Sequence, residues 1–131
     1  MIRKEIVVVT GASRGIGAAI AKEMASPQRK IYVTYRSQKE AAKEVVKQCE
    51  DKGSEASAIE LDVNDDEMVT TVFESIFKEE RSIDVLVNNA AIVRDAPLLA
   101  MEERDWHDVI ETNLTGLFHV SKVVGKYMVM R

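Results

Sequence analysis

The chain has 131 residues, 46% hydrophobic and 31% charged, a balance that fits one soluble globular domain with a real core and leaves no room for two. Lys plus Arg number 18 against 22 Asp plus Glu, so the net charge of -4 argues against a general nucleic-acid binder, and no apolar run approaches the ~20 residues of a membrane span. A single cysteine, Cys49, excludes an internal disulfide or thiolate metal cluster, and a start that lacks a signal-peptide apolar run predicts a cytoplasmic protein.

Residues 6–10 are a short β-branched apolar run and predict a strand buried on both faces. Residues 16–25 predict a helix, with Ile16, Ala19, Ile20, Glu23 and Met24 three or four apart and Pro27 marking its end. A second strand is predicted over 31–35. A second helix follows over 39–52, with Ala42, Val45, Val46 and Cys49 on one stripe and Gly53 as C-cap. A third strand is predicted over 56–61, and a third helix over 65–79 burying Met68, Val72 and Ile76, with Phe73 and Phe77 beside them. The charged cluster Lys78-Glu79-Glu80-Arg81 reads as a solvated turn before a fourth strand over 83–87. Residues 97–101 read as a loop or short helical turn, and 106–112 and 114–128 as two helices. The alternation gives an α/β fold of Rossmann type: a doubly wound parallel sheet of strand order 3-2-1-4.

Thr10-Gly11-Ala12-Ser13-Arg14-Gly15-Ile16-Gly17 lies between the first strand and the first helix. Glycines there allow a tight turn, a close backbone approach to a pyrophosphate and close helix–sheet packing, while the helix N-terminus favours an anion. A glycine-rich βα turn without a ligand is the plainer alternative. The spacing Gly-x-x-x-Gly-x-Gly is not the commoner Gly-x-Gly-x-x-Gly, and it is not a P-loop, since no Lys-Ser or Lys-Thr follows. The second strand ends at Tyr35 and leads into Arg36-Ser37, with no acid to bind a ribose 2′-OH. Arg14 and Arg36 instead supply two guanidiniums suited to a 2′-phosphate, which favours NADP(H) over NAD(H). The alternative is two solvated surface arginines.

Four separated motifs resemble the short-chain dehydrogenase/reductase family: the glycine-rich loop, Leu61-Asp62-Val63, Asn88-Asn89-Ala90-Ala91, and Asn113 within Glu111-Thr112-Asn113-Leu114. Their order and separations match the family's first half and cover essentially the whole chain. Within the family, the segments Asp84 to Ala90, Arg94-Asp95 and Asp105-Trp106 to Asn113 are most similar to the 3-oxoacyl-(acyl-carrier-protein) reductases. The resemblance implies NADP(H) binding by Gly11, Ser13, Arg14, Gly15, Ile16, Gly17, Arg36, Ser37, Asp62, Val63, Asn88, Ala90 and Ala91 over one domain, 1–131. Asp62 would meet the adenine ring, or else cap the next helix, although Asp65 and Asn64 are better placed to cap. Asn88 and Asn89 would brace the sheet and line the adenosine ribose, and asparagines past a strand also form turns. Ala91 stands where the family has glycine. Asn113 resembles the family's catalytic asparagine, which holds a proton-relay water; its plainer reading is an N-cap.

The family transfers a hydride between nicotinamide and a carbonyl carbon, with a tyrosine as proton donor, a lysine four residues later and a serine on the substrate oxygen. None of these has a counterpart here, so the chain reads as the N-terminal portion of a longer family domain. Tyr32 and Tyr127 are followed four residues later by Arg36 and Arg131. Tyr35 is followed by Lys39, but that pair spans a strand end and a helix start and shares no helical face. The resemblance implies a 3-oxoacyl thioester substrate, free or carrier-bound, or another carbonyl or secondary alcohol; a non-catalytic nucleotide-binding module is the competing reading. The fourth strand would be an apolar edge. The apolar terminal segment around Val120, Val123, Val124 and Tyr127 needs a surface to pack on, either its own core or, as the resemblance implies, a dimer or tetramer interface. His107 and His119 read as ordinary helix residues, with no metal site expected.

Overall fold

A computed structural model describes residues 3–130. Met1 and Ile2, part of the start read as lacking an apolar leader, and Arg131 lie outside the described residues. The elements in chain order are β1 (Glu5–Val9), α1 (Gly15–Met24), β2 (Arg29–Tyr35), α2 (Lys39–Asp51), β3 (Glu55–Glu60), α3 (Asp66–Glu80), β4 (Val85–Val87), a 3-10 turn (Leu98–Ala100), α4 (Glu103–Ile110), a π-helical turn (Glu111–Gly116) and α5 (Leu117–Met130). The four strands are parallel in the order β3-β2-β1-β4, with Val8 opposite Tyr32 and Leu86. That is the doubly wound order expected from the βαβ alternation. All four strands therefore end on one rim, and the loops that follow them share it.

The sheet separates two apolar layers. On one face Val7, Val9, Ile31 and Val33 pack against a small-residue stripe of α1 and α2: Ala18, Ala21, Ala42, Val45 and Cys49. On the other, Ile6, Val8 and Tyr32 pack against Val69, Phe73 and Ile76 of α3 and Val120 and Val124 of α5. The Phe77 and Tyr127 rings stack with centroids 4.4 Å apart, so much of the terminal apolar segment finds its cover inside the chain. His119 of α5 meets Asp66 of α3 at the same seam.

Several local expectations differ. Ile16 is 73% exposed, because α1 presents Gly17, Ala18 and Ala21 to the sheet. Close helix–sheet approach there favours small residues over the bulky stripe. In α3 the buried positions are Val69, Phe73 and Ile76; Met68 and Val72 flank them. Asp65 caps α3 by accepting the Met68 N–H at 3.0 Å, and Arg81, at φ 67°, closes its other end. The cluster at 78–81 is not a solvated turn. Glu80 lies in α3, where it pairs with Lys30 at 2.6 Å and accepts the Tyr32 hydroxyl. β4 has three residues rather than five, since the Asp84 carboxylate takes up the Ile6 N–H at 2.7 Å where a ladder carbonyl would sit. The two expected C-terminal helices are one helical run, joined through the π turn.

Candidate functional site

The loops after β1, β2, β3 and β4, with Thr112 of the π turn, line a cleft of about 460 Å³ at the C-terminal rim of the sheet. In open parallel sheets this rim, where strand order reverses between β1 and β4, is the common ligand position.

Thr10 fixes the floor. Its side chain is buried, donates to the Val87 carbonyl at 3.4 Å, and accepts the N–H groups of Asn89 and Ala90, both at 3.1 Å. One hydroxyl thus ties the end of β1 to the loop after β4. The Asn89 amide donates to the Gly11 carbonyl at 2.9 Å, while Gly11 and Ala12 donate to Thr34 Oγ1 and O at 3.2 and 2.9 Å. The turn is thereby held from both sides. Gly11 has φ +61°, and a Cβ there would lie 2.8 Å from Ala90 Cα. Gly17 is equally constrained, because a Cβ would come within 2.3 Å of the Asn89 amide nitrogen. Gly15, at φ +60°, differs: nothing lies within 4 Å of the position a Cβ would occupy. It borders open cleft just where α1 begins, and α1 has no side-chain cap on its N-terminal N–H groups.

The far end of the cleft is formed by Arg36, Ser37 and Gln38 after β2 and by Leu61, Asp62 and Val63 after β3. α2 also starts without a side-chain cap, directly after Gln38. Asp62 accepts the Asn64 N–H at 2.9 Å through Oδ1, and its Oδ2 lies 3.8 Å from Arg36 Nε. It does not cap α3, which Asp65 does.

Asn113 sits inside the π turn, so it is not an N-cap. Its amide pairs with one residue of the opposite loop: Oδ1 accepts the Ile92 N–H at 2.9 Å and Nδ2 donates to the Ile92 carbonyl at 3.0 Å. A π turn widens the helix by one residue, a distortion common at functional sites. Here Gly116 lets the turn approach Val63, whose Cγ2 would be 2.7 Å from an added Cβ.

Of the expected site residues, Gly11, Ser13, Arg14, Gly15, Arg36, Ser37, Asp62, Val63, Ala90 and Ala91 line the cleft. Ile16, Gly17, Asn88 and Asn113 stand behind or beside the wall, and the Asn88 amide donates to Ser121 Oγ at 3.0 Å. Asn89 lines the cleft as its motif implied, whereas Gln38, Leu61, Ile92, Arg94 and Thr112 are wall residues that sequence reasoning did not assign to it. Leu61, Arg94 and Thr112 lay inside quoted segments; Gln38 and Ile92 carry no signal beyond adjacency to one. Tyr35 ends β2 and Lys39 starts α2, so their Tyr-x-x-x-Lys string shares no element.

A family model for short chain dehydrogenase matches residues 5–131. The chain belongs to the short-chain dehydrogenase family. Among its relatives in that family, the 3-oxoacyl-(acyl-carrier-protein) reductase of Staphylococcus aureus is 44% identical over 112 residues, 86% of this chain and 46% of that protein. The namesake of a Synechocystis species is 42% identical over 124 residues, covering 95% and 50%. A structure described as a short-chain alcohol dehydrogenase of Sinorhizobium meliloti superposes with a TM-score of 0.87 at 33% identity, over 95% of this chain and 49% of that one. The chain spans about half the length of the short-chain dehydrogenases it matches.

Proposed function

We propose that the cleft binds NADP(H) and that residues 1–131 form the cofactor-binding portion of an oxidoreductase that reduces a 3-oxoacyl thioester, carried on acyl carrier protein, to the 3-hydroxyacyl thioester. The observation that carries this reading is the placement of Arg14, Arg36 and the open ground above Gly15 along one cleft. The bare backbone at Gly15 and the uncapped start of α1 suit a pyrophosphate. Arg36 and Ser37, beside the uncapped start of α2, suit a ribose 2′-phosphate, and Asp62 suits the adenine amino edge. When bound, the dinucleotide supplies the hydride.

Asn113 holds the loop at Ile92 and so fixes the shape of the cleft where it leaves the adenosine end. The alkoxide that forms on hydride transfer needs a proton donor and an oxyanion partner. The family's serine, tyrosine and lysine for those tasks have no counterpart in this sequence. On this reading the 131-residue chain alone does not turn over. The names of the relatives support the acyl-carrier substrate, whereas the likeness to an alcohol dehydrogenase supports a second reading with another carbonyl or secondary alcohol. The same reading places the protein in the cytoplasm and pairs copies of it through α5, whose Leu117 and Phe118 are exposed.

Titration of the chain with NADPH and NADH tests the cofactor assignment. NADPH should bind about tenfold more tightly or better, and Arg36→Ala should abolish most of that margin. Equal affinities would refute the 2′-phosphate site. Turnover of an acetoacetyl thioester with NADPH by this chain alone would overturn its catalytic incompleteness.

A further inference from the structure

Arg14 and Arg36 line the same cleft in different electrostatic states. Among the described residues Arg14 has no ion-pair partner, whereas Arg36 faces Asp62, Nε to Oδ2, at 3.8 Å. The carboxylate is not free to follow the arginine. Its other oxygen is committed to the Asn64 N–H at 2.9 Å, which holds it in the loop after β3. Arg36 is over half exposed and has no closer partner among the described residues.

A guanidinium offers five N–H donors in a planar fork, and one carboxylate oxygen at 3.8 Å satisfies little of that capacity. A phosphate accepts two parallel N–H bonds at ~2.8 Å and carries more charge than a carboxylate. Asp62 is nevertheless a fixed negative charge beside the place such a phosphate would take, so it both competes for Arg36 and repels the incoming anion.

We infer that Asp62 is a positioning residue for Arg36. Its anchored carboxylate holds the guanidinium at the cleft mouth, and a ribose 2′-phosphate has to displace it, so the pair sets how strongly the site separates phosphorylated from unphosphorylated adenosine ligands. This inference rests on the NADP(H) reading above and adds an internal competitor to it. A ligand without the 2′-phosphate leaves the pair intact. A ligand with it breaks the pair.

The probes are adenosine 2′,5′-bisphosphate and adenosine 5′-monophosphate, which occupy only the end of the cleft that these residues build. Binding of each is measured calorimetrically to wild type, Asp62→Asn, Arg36→Ala and the double variant, with circular dichroism of each protein. Asparagine keeps an acceptor for the Asn64 N–H while removing the charge, and the bond that its Nδ2 cannot accept from the adenine amino group is lost to both probes alike. Asp62→Asn should raise the ratio of bisphosphate to monophosphate affinity about threefold, the scale of a lost exposed ion pair. In the Arg36→Ala background the selective gain should vanish. Raising the salt concentration in wild type should shrink the difference between wild type and Asp62→Asn, which reads the same coupling without relying on a variant's fold alone.

If wild type binds both probes alike, the NADP(H) reading itself fails. If wild type prefers the bisphosphate but Asp62→Asn shifts both probes equally, lowers the ratio of their affinities, or acts as strongly without Arg36, then Asp62 serves the base alone and the coupling is overturned.

Discussion

Gly11 and Gly15 have φ of +61° and +60°, yet a methyl group at each would meet different surroundings. At Gly11 it would press on Ala90 Cα, so Gly11→Ala combines backbone strain of ~1–2 kcal/mol with overpacking of ~1–3 kcal/mol. Urea denaturation should therefore show a loss of about 2–5 kcal/mol. Gly15→Ala carries only the backbone term, but its methyl group would fill the ground assigned to the pyrophosphate. It should keep most of its stability while ADP affinity falls about tenfold, measured on the same preparations. Thr10 is legible in the sequence as the last residue of an apolar strand and the first of the glycine-rich motif, but not as a tie between loops. Its three hydrogen bonds become visible once β1 and β4 are neighbours, which is a tertiary fact.

At the scale of elements, continuous apolar runs and three-to-four spacing were enough for the βαβ alternation, and the strand order followed only once right-handed crossovers were combined with the 3-2-1-4 form of the doubly wound sheet. The phase of the helices was less legible. Ile16 is apolar but exposed, since burial in α1 was decided by how close the helix approaches the sheet. Glu80 looked like surface charge because its partners, Lys30 and Tyr32, lie about fifty residues away in β2. The π turn was legible only as a break between two helices at Asn113, not as a widened turn within one run, where Asn113 makes its paired bonds to Ile92. Asn113→Ala would strip both. Amide exchange at Ile92 should accelerate, and stability should fall by about 1–3 kcal/mol.

The contact of β2 with α3 also has a pH signature. Burial, reinforced by the Glu80 hydrogen bond, pushes the Tyr32 hydroxyl well above its ordinary value of 10.0. Lys30 is likewise raised: burial opposes its charge, and its interactions with Glu80 and Tyr32 together more than restore it. Both groups keep their protons in the fold after the unfolded chain has begun to lose them. Their contribution is thus intact below about pH 10 and is lost as the pH rises through the folded-state values. Unfolding at pH 8 and pH 11 should show a drop in stability that Tyr32→Phe reduces.

For the molecule as a whole, one flank is unfinished. β4 pairs only with β1 among the described residues, and Trp106, Leu114, Phe118 and Leu99 expose large apolar areas on the same C-terminal half. Such an edge and such patches favour association. Sedimentation should show the weight-average mass rising with concentration, and Phe118→Ser should shift the equilibrium toward the single chain without lowering the melting temperature by more than a few degrees.

The cleft draws its wall from five stretches separated by most of the sequence, around residues 11–15, 36–38, 61–63, 89–94 and 112. No short unfolded segment can imitate it, so a ligand of this cleft has nothing to bind once the chain unfolds. Occupancy then acts as a reversible fastening across the sheet, worth about 2.7 kcal/mol when free ligand stands at a hundredfold excess over its dissociation constant. A melting-temperature shift is accordingly a direct gauge of whether a given nucleotide binds this rim.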